Sequence, residues 1–157
     1  MPTLRPLTEE ELASWMEAQS ADYITERVGA GDTEEEAQRV ATEQYASVFS
    51  DGRPVPGHLF SRVMDGDDAV GWLWIGPRSL ARPEAFWVWN VVIDEAYRGR
   101  GFGRTAMHLA EEQAREQGAR EIGLNVFGHN KIARSLYEKL GYEVSAMQMR
   151  KPLSGKD

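Results

Sequence analysis

Hydrophobic positions in the first third of the chain recur every three or four residues. Between residues 8 and 28 they fit one helical face, and Thr8 with Glu11 forms the pattern of a capping box. A second such stretch begins at Thr33, with Glu36 three residues later, and runs to about residue 49. The sequence therefore predicts two helices, separated by the glycines at 29 and 31.

The pattern changes to a period of two after residue 57. Residues 58–65 and 69–75 predict a hairpin around Gly66-Asp67-Asp68, and residues 84–93 predict a central strand that is apolar on both sides. Residues 76–83 read as a polar loop. Strict alternation places Val70, Trp72 and Trp74 on one face of the hairpin. In the central strand it separates Phe86, Val88, Asn90 and Val92 from Trp87, Trp89, Val91 and Ile93.

The remaining elements alternate in type. A helical pattern from Phe102 to Gln117 ends at Gly118, and residues 121–126 predict a strand. Because a single helix joins that strand to the central one, the two should be parallel. A short helix to Leu140 and a last strand over 142–150 complete the chain. A further short strand is predicted at its start, over residues 3–6. These elements predict a mixed α+β fold in one domain, 1–157.

Composition and charge limit the classes of function that the protein can have. The 157 residues include no cysteine, so disulfides and thiolate metal sites are excluded, and no metal site is expected. The N-terminal residues read as no signal peptide and no apolar run has membrane-spanning length, so we expect a cytoplasmic protein without a membrane partner. Residues 1–60 carry 12 acidic side chains and 4 arginines, whereas residues 61–157 carry 13 acidic and 14 basic ones. The acidic first part should repel nucleic acid and attract a cationic substrate.

The segment from Val91 to Thr105, V-V-I-D-E-A-Y-R-G-R-G-F-G-R-T, holds the most specific chemistry. It leads from a β-branched strand through glycines and arginines into a helix. Backbone amides with little side-chain bulk, next to a helix N-terminus, form a site for phosphate. A dinucleotide fingerprint fails because Arg104 stands where its last glycine is needed. A nucleotide P-loop fails too, since Gly103-Arg104-Thr105 lacks the lysine and the earlier glycine.

The spacing of Arg98, Gly101 and Gly103 resembles the acyl-coenzyme A loop, R/Q-x-x-G-x-G/A, of the GNAT family of N-acetyltransferases. The resemblance continues through Leu124-Asn125-Val126 and through Asn130-x-x-Ala133-x-x-Leu136-Tyr137 to Leu140-Gly141-Tyr142. It covers roughly residues 58 to 150. Residues 1–57 would then supply the acceptor-side helices, and 58–150 the acyl-CoA-binding core.

The resemblance implies a mostly antiparallel sheet flanked by helices, in which the parallel central pair of strands splays apart. Acetyl-CoA would lie in that gap as a co-substrate, its pantetheine arm pairing with the backbone of the central strand and its diphosphate on the loop. Two asparagines would contact it from the second wall. The expected binding residues are Val91, Val92, Ile93, Arg98, Gly99, Arg100, Gly101, Phe102, Gly103, Arg104, Asn125 and Asn130. Asn130 also suits a helix N-cap.

The reaction implied by the family is transfer of acetyl from acetyl-CoA to a primary amine, by direct attack in a ternary complex. Tyr137 stands where the family places the acid that protonates the leaving thiolate. The general base stays open between Glu84, His129 and a water chain, because Asn90 cannot accept a proton as a base. The alternative is an acyl-CoA sensor that binds without catalysis.

The acceptor would be a cationic small molecule or peptide amine, bound between the first two helices and the tryptophans of the sheet. The same tryptophans also fit a plain hydrophobic core. Relatives of this type pair through the last strand or the hairpin, so the resemblance also allows a homodimer.

Overall fold

The computed structural model describes residues 1–50 and 53–154. It contains, in chain order, β1 (Pro2–Pro6), α1 (Glu9–Gly29), α2 (Glu34–Val48), β2 (Phe49–Ser50), β3 (Arg53–Pro54), β4 (Leu59–Asp65), β5 (Asp68–Ser79), β6 (Arg82–Ile93), a 3₁₀ turn (Glu95–Tyr97), α3 (Phe102–Glu116), β7 (Glu121–Leu124) and α4 (Lys131–Lys139).

Five strands form one sheet in the order β1-β4-β5-β6-β7, and β2 pairs with β3 in a separate two-stranded ribbon. All neighbours in the large sheet are antiparallel except β6 and β7, which run parallel. The parallel ladder covers only four pairs, from Ala85↔Glu121 to Val88↔Leu124. Since β6 continues to Ile93, the two strands separate over its last five residues. The predicted fold class is confirmed.

A bulge in β6 changes which side chains share a face. Trp74 pairs with Asn90 and Ile75 with Val88, so Trp89 is an extra residue without a partner on β5. The side chains of Val91 and Ile93 therefore pack on the same core as Phe86 and Val88. The predicted separation of these two pairs is wrong, because strict alternation does not survive an inserted residue.

A second bulge does the same to the hairpin. Val63 pairs with Gly71 and Met64 with Ala69, which leaves Val70 as the extra residue of β5. Val70 is completely buried in the core that contains Leu73 and Ile75. The predicted common face of Val70 with Trp72 and Trp74 is therefore wrong.

The sheet separates two hydrophobic cores. On one face, α3 packs Phe102, Ala106, Met107, Ala110 and Ala114 against buried side chains of β4, β5 and β6. On the other face, Trp15 of α1 packs against Phe60 and Trp74, with ring centroids 5.5 and 5.9 Å away. The sheet is thus covered on both sides, as the apolar central strand predicts.

The capping residues act as the sequence predicts. The amide of Glu11 donates to the Thr8 hydroxyl, and the Thr8 amide donates to the Glu11 carboxylate. The same reciprocal pair joins Thr33 and Glu36 at the start of α2. Gly118, just beyond α3, has the left-handed φ of +87°.

Two segments differ from the prediction. Residues 76–83 are mostly strand, because β5 and β6 continue their pairing to Ser79↔Arg82 and leave a two-residue turn. Residues 142–150, predicted as a last strand, pair with no described strand. There the Arg150 guanidinium donates a 3.0 Å hydrogen bond to the Ala30 carbonyl, so the segment reaches the α1–α2 turn instead of lying in the sheet.

Candidate active site

The free edge of β6 opens immediately after Val88. The Asp94 amide donates to the Val70 carbonyl at 2.9 Å, so the backbone groups of Asp94 face β5. By the period of two, those of Val92 also face β5, whereas those of Val91 and Ile93 face the gap. Of the three residues predicted to contact the cofactor through their backbone, Val91 and Ile93 thus face the gap and Val92 faces β5. The Arg98 guanidinium already donates to the Ile93 carbonyl at 2.9 Å.

The glycine loop continues from this edge. Gly99 and Gly101 have φ values of +77° and +85°, and Gly101 is the N-cap residue of α3. A Cβ added at either position would meet no atom within 4 Å. The backbone is therefore both left-handed and bare on its outer side, which fits a cradle for a bulky anion.

The first turn of α3 supplies the donors of that cradle. The Thr105 amide is bonded to the Gly101 carbonyl, whereas the amides of residues 102–104 precede the first intrahelical bond. The side chain of Phe102 belongs to the core, so only its backbone is offered. The exposed Arg100 lies over the rings of Tyr97 and Phe102, with its guanidinium carbon 5.6 and 5.4 Å from their centroids. Arg104 is exposed at the helix start.

Two asparagines lie on the second wall. Asn125 is exposed one residue after β7 ends. The Asn130 side-chain oxygen accepts from the Ala133 amide at 3.2 Å and thereby caps α4. The capping role of Asn130 is observed, and its predicted contact with the cofactor remains a prediction.

Tyr137 of α4 packs against the core beside the splayed strands. Its ring lies 6.0 Å from that of Tyr142, in an edge-on arrangement. Burial, with a smaller contribution from the negative charge of Glu26, raises the pKa of Tyr137. The phenol therefore keeps its proton at neutral pH, as an acid that acts late in a reaction must.

The candidate bases lie in very different places. Glu84 is at the far end of β6, next to the closed part of the ladder, and forms an exposed 3.6 Å ion pair with Arg82. Asn90 lies at the opening of the gap, where its side-chain amide donates to Gln19 of α1 at 3.0 Å. His129 is exposed and stacks on Phe127 at 5.8 Å. Glu84 therefore lies beside the paired part of β6 and not beside its free edge.

The sequence motifs do not indicate Glu26 as a site residue. Its carboxylate influences the pKa of Tyr137 and is itself influenced by His129. Tyr23 follows Gln19 by four residues and Glu26 follows Tyr23 by three, so the three residues share one helical face. That spacing was readable from the sequence, but the element facing it was not.

The acceptor side is largely aromatic. Trp15 and Trp74 are only 3 % exposed and act as core, whereas Trp72 and Trp89 are half-buried beside them. A cavity of ≈ 30 Å³ remains between α1, α2 and the sheet, lined by Trp15, Gln19, Tyr23, Gln44, Trp74, Trp89 and Asn90. Trp87 lies elsewhere, under the Arg78 guanidinium at 4.4 Å, and is not part of this cluster.

A larger cavity of ≈ 1060 Å³ lies beside β7 and extends to Ala85, Phe86 and Trp87 of β6. Asn125, Tyr137 and His129 line it, together with Arg27 and Ala30 at the end of α1. Neither the glycine loop nor Val91 and Ile93 reach it. The cavity continues along residues 142–150 of the C-terminal segment.

Comparison with known proteins identifies the architecture. The model of the acetyltransferase (GNAT) family matches residues 12–142. The chain belongs to the GNAT family. The match includes the glycine loop, the splayed strands and Tyr137, which confirms the resemblance of the sequence motifs.

Full-length relatives support the same GNAT assignment. The uncharacterized N-acetyltransferase YdgE of Bacillus subtilis is 32% identical over 153 residues, which cover 96% of this chain and 98% of YdgE. The crystal structure of YycN, from the same organism, is 30% identical and superposes with a TM-score of 0.88, over 99% of this chain and 100% of YycN. AAC(6')-Iy, solved with the bisubstrate analogue CoA-S-monomethyl-acetylneamine, has a TM-score of 0.59 at 12% identity, covers 99% of each chain and shares the fold.

The described residues were compared with the requirements of a metal site and of a membrane-spanning helix. They contain no cluster of three histidine or acidic side chains placed to hold a metal ion. None of their helices combines the length and the apolar character needed to cross a bilayer.

Proposed function

We propose that this GNAT protein transfers acetyl from acetyl-CoA to a primary amine by direct attack in a ternary complex. The observation that carries the proposal is the free edge of β6, open from Val88 onward and continuous with the glycine loop at the start of α3. An amide-containing arm can pair with such an edge as an added strand. A diphosphate can bind the amides where the edge ends.

Backbone orientation supports a specific set of contacts with acetyl-CoA. Val91 and Ile93 would pair with the arm, and the residues from Gly99 to Arg104 would hold the diphosphate with their amides and guanidinium groups. Since the Val91 amide faces the gap, it is the donor that would stabilise the oxyanion of the thioester carbonyl. Arg98 would support the Ile93 carbonyl from the side, through the 2.9 Å hydrogen bond that it donates there.

Tyr137 would protonate the departing thiolate. Its raised pKa keeps the phenol protonated before the reaction, and Tyr137 lines a cavity together with Leu124 and Asn125 at the end of β7. The sequence contains no cysteine that could form an acyl-enzyme, which is consistent with direct attack. The proposal transfers to this chain the ligand class that AAC(6')-Iy carries in its crystals.

The acceptor would be a cationic amine. Residues 1–60 have a net charge of −8, and their helices border the aromatic acceptor side. Negative charge raises the local concentration of a cationic substrate, and aromatic rings favour an ammonium group. A cytoplasmic location and a homodimer remain predictions.

Two measurements test the proposal. Acetyl-CoA should raise the melting temperature of the protein, whereas NAD and ATP should leave it unchanged. Release of free thiol from acetyl-CoA should then require an amine, which a panel of polyamines, lysine derivatives and aminoglycosides would reveal. Stabilisation without thiol release from any amine would favour the acyl-CoA sensor. Absence of stabilisation would contradict both functions.

A further inference from the structure

Helix α1 crosses the gap between the splayed strands. Its Gln19 accepts a hydrogen bond from Asn90 of β6, while Arg27 and Ala30 line a cavity together with Tyr137 of α4 and His129. Seven residues of helix, about 10 Å, separate Gln19 from Glu26. The helix therefore runs from one wall of the gap to the other, and the turn between these residues covers the opening.

The residues on the covering face are polar. Gln19, Tyr23 and Glu26 lie within about 60° of arc on the helix, because their spacings are four and three residues. Gln19 and Tyr23 line the small cavity beside Trp89 and Asn90. Glu26 is the next member of the stripe and the only carboxylate in it.

The charges around Glu26 suit a group that accepts protons. Partial burial raises the pKa of its carboxyl, and Asp22 on the same helix raises it further, while His129 from the loop before α4 opposes them. The negative charge of Glu26 in turn raises the pKa of Tyr137 on α4, and Tyr137 lines one cavity with Gly29 and Ala30, which follow Glu26 on α1. The adjacent Arg27 does not neutralise it, because that guanidinium donates to Asp32 at 2.6 Å and to the Tyr23 hydroxyl at 3.3 Å. A carboxylate with a raised pKa is a stronger base.

Other titratable groups near the site are engaged elsewhere. Asp94 pairs with Arg62 at 3.3 Å, and the Nδ1 atom of His58 accepts from the Trp74 indole at 3.0 Å. Glu84 lies at the closed end of the ladder. Asn90, at the opening itself, has no proton to exchange at neutral pH.

We propose that the Glu26 carboxylate accepts the proton of the acceptor ammonium, a role that rests on the acetyl transfer proposed above. An N–H bond of the ammonium breaks, an O–H bond forms on Glu26, and the proton leaves to solvent from the exposed side chain. The neutral amine then forms the C–N bond to the acetyl carbon while the C–S bond breaks. The departing thiolate takes the proton of the Tyr137 phenol. The resulting phenolate then takes the second proton of the attacking nitrogen, which restores the phenol.

The test compares two single-charge changes on one helix. Glu26→Gln removes the base, whereas Glu17→Gln, nine residues away and on the opposite side of α1, removes an exposed carboxylate with no place in the gap. With the most active amine, kcat of Glu26→Gln should fall about a hundredfold at pH 7, the size typical of a lost general base. Glu17→Gln should stay within about twofold of wild type, and Glu26→Asp should recover part of the activity.

A pH profile separates catalysis from a structural role. In wild type, kcat should fall as pH decreases through the raised pKa of Glu26, and Glu26→Gln should lose that acidic limb. The KM for acetyl-CoA should not change. A Glu26→Gln enzyme with near wild-type kcat and an intact acidic limb would overturn the proposal. Failure of the proposed function would differ from this, since wild type itself would then release no thiol with any amine.

Discussion

Val88 and Leu124 form the last pair of the parallel ladder, and the inserted residue Trp89 follows on β6 immediately afterwards. The bulge and the separation of the strands therefore coincide. A bulge increases local twist and interrupts regular pairing, so it gives a physical reason for the end of the ladder. The free edge that results begins where the proposed thioester would lie.

The glycine loop can be tested by adding charge to it. Gly101→Glu places a carboxylate among the amides proposed to bind the diphosphate, so acetyl-CoA affinity should fall at least about tenfold, the equivalent of one lost charge-assisted hydrogen bond. Gly118→Glu is a matched control, because Gly118 has a similar φ of +87° and equally open surroundings at the other end of α3. Both variants should lose about 1–2 kcal/mol of stability from backbone strain. Equal affinities in calorimetric titration would argue against a diphosphate site at 98–104.

Tyr137→Phe tests the proposed acid. Loss of the phenol should slow kcat by about ten- to a hundredfold and leave acetyl-CoA binding unchanged. Tyr142→Phe serves as comparison, because the Tyr142 hydroxyl donates to the Glu111 carboxylate at 3.0 Å. That variant should lose about 1.5–3 kcal/mol of stability and keep its kcat. Steady-state kinetics and urea unfolding distinguish the two, and an unaffected kcat in Tyr137→Phe would assign the phenol to packing alone.

Gly71 of β5 packs closely against the end of β6. A Cβ on Gly71 would collide with the Val92 carbonyl oxygen and meet the Ile93 side chain at 2.9 Å. Since the first neighbour is backbone, Gly71→Ala must displace β6, at a cost of about 1–3 kcal/mol. Acetyl-CoA affinity should also decrease. Gly29→Ala, which has no atom within 4 Å of the added Cβ, should leave both quantities nearly unchanged. The measurements are urea unfolding and ligand titration. Normal affinity in Gly71→Ala would show that the contact between Gly71 and β6 does not influence acetyl-CoA binding.

Because burial lowers the pKa of His58, we expect the protein to lose stability in mild acid. Burial lowers the pKa of its imidazole, so the unfolded chain binds the proton more readily than the folded one. The free energy of unfolding should therefore decrease as pH falls from about 6.5 to the lowered folded-state pKa. His58→Gln can still accept a hydrogen bond from Trp74 but takes up no proton. Urea unfolding at pH 7.5 and 5.5 should show a smaller pH effect in this variant, and an equal effect would assign the acid sensitivity to other groups.

The amino-acid sequence alone determined the features that depend on local chemistry. The capping boxes at Thr8 and Thr33, the end of α3 at Gly118 and the glycine turn that precedes α3 follow from residue types at short spacing. The parallel order of β6 and β7 also followed, since one helix connects them.

Only the tertiary structure decided the features that depend on neighbouring elements. The extra residues Val70 and Trp89 result from pairing with adjacent strands, so alternation along one strand could not reveal them. Residues 142–150 alternate like a strand, yet Arg150 is bound to the α1–α2 turn. The charge of Glu26 raises the pKa of Tyr137, although the two residues are more than a hundred positions apart in the sequence. Short-range patterns specify which elements form, and packing specifies which of their side chains meet.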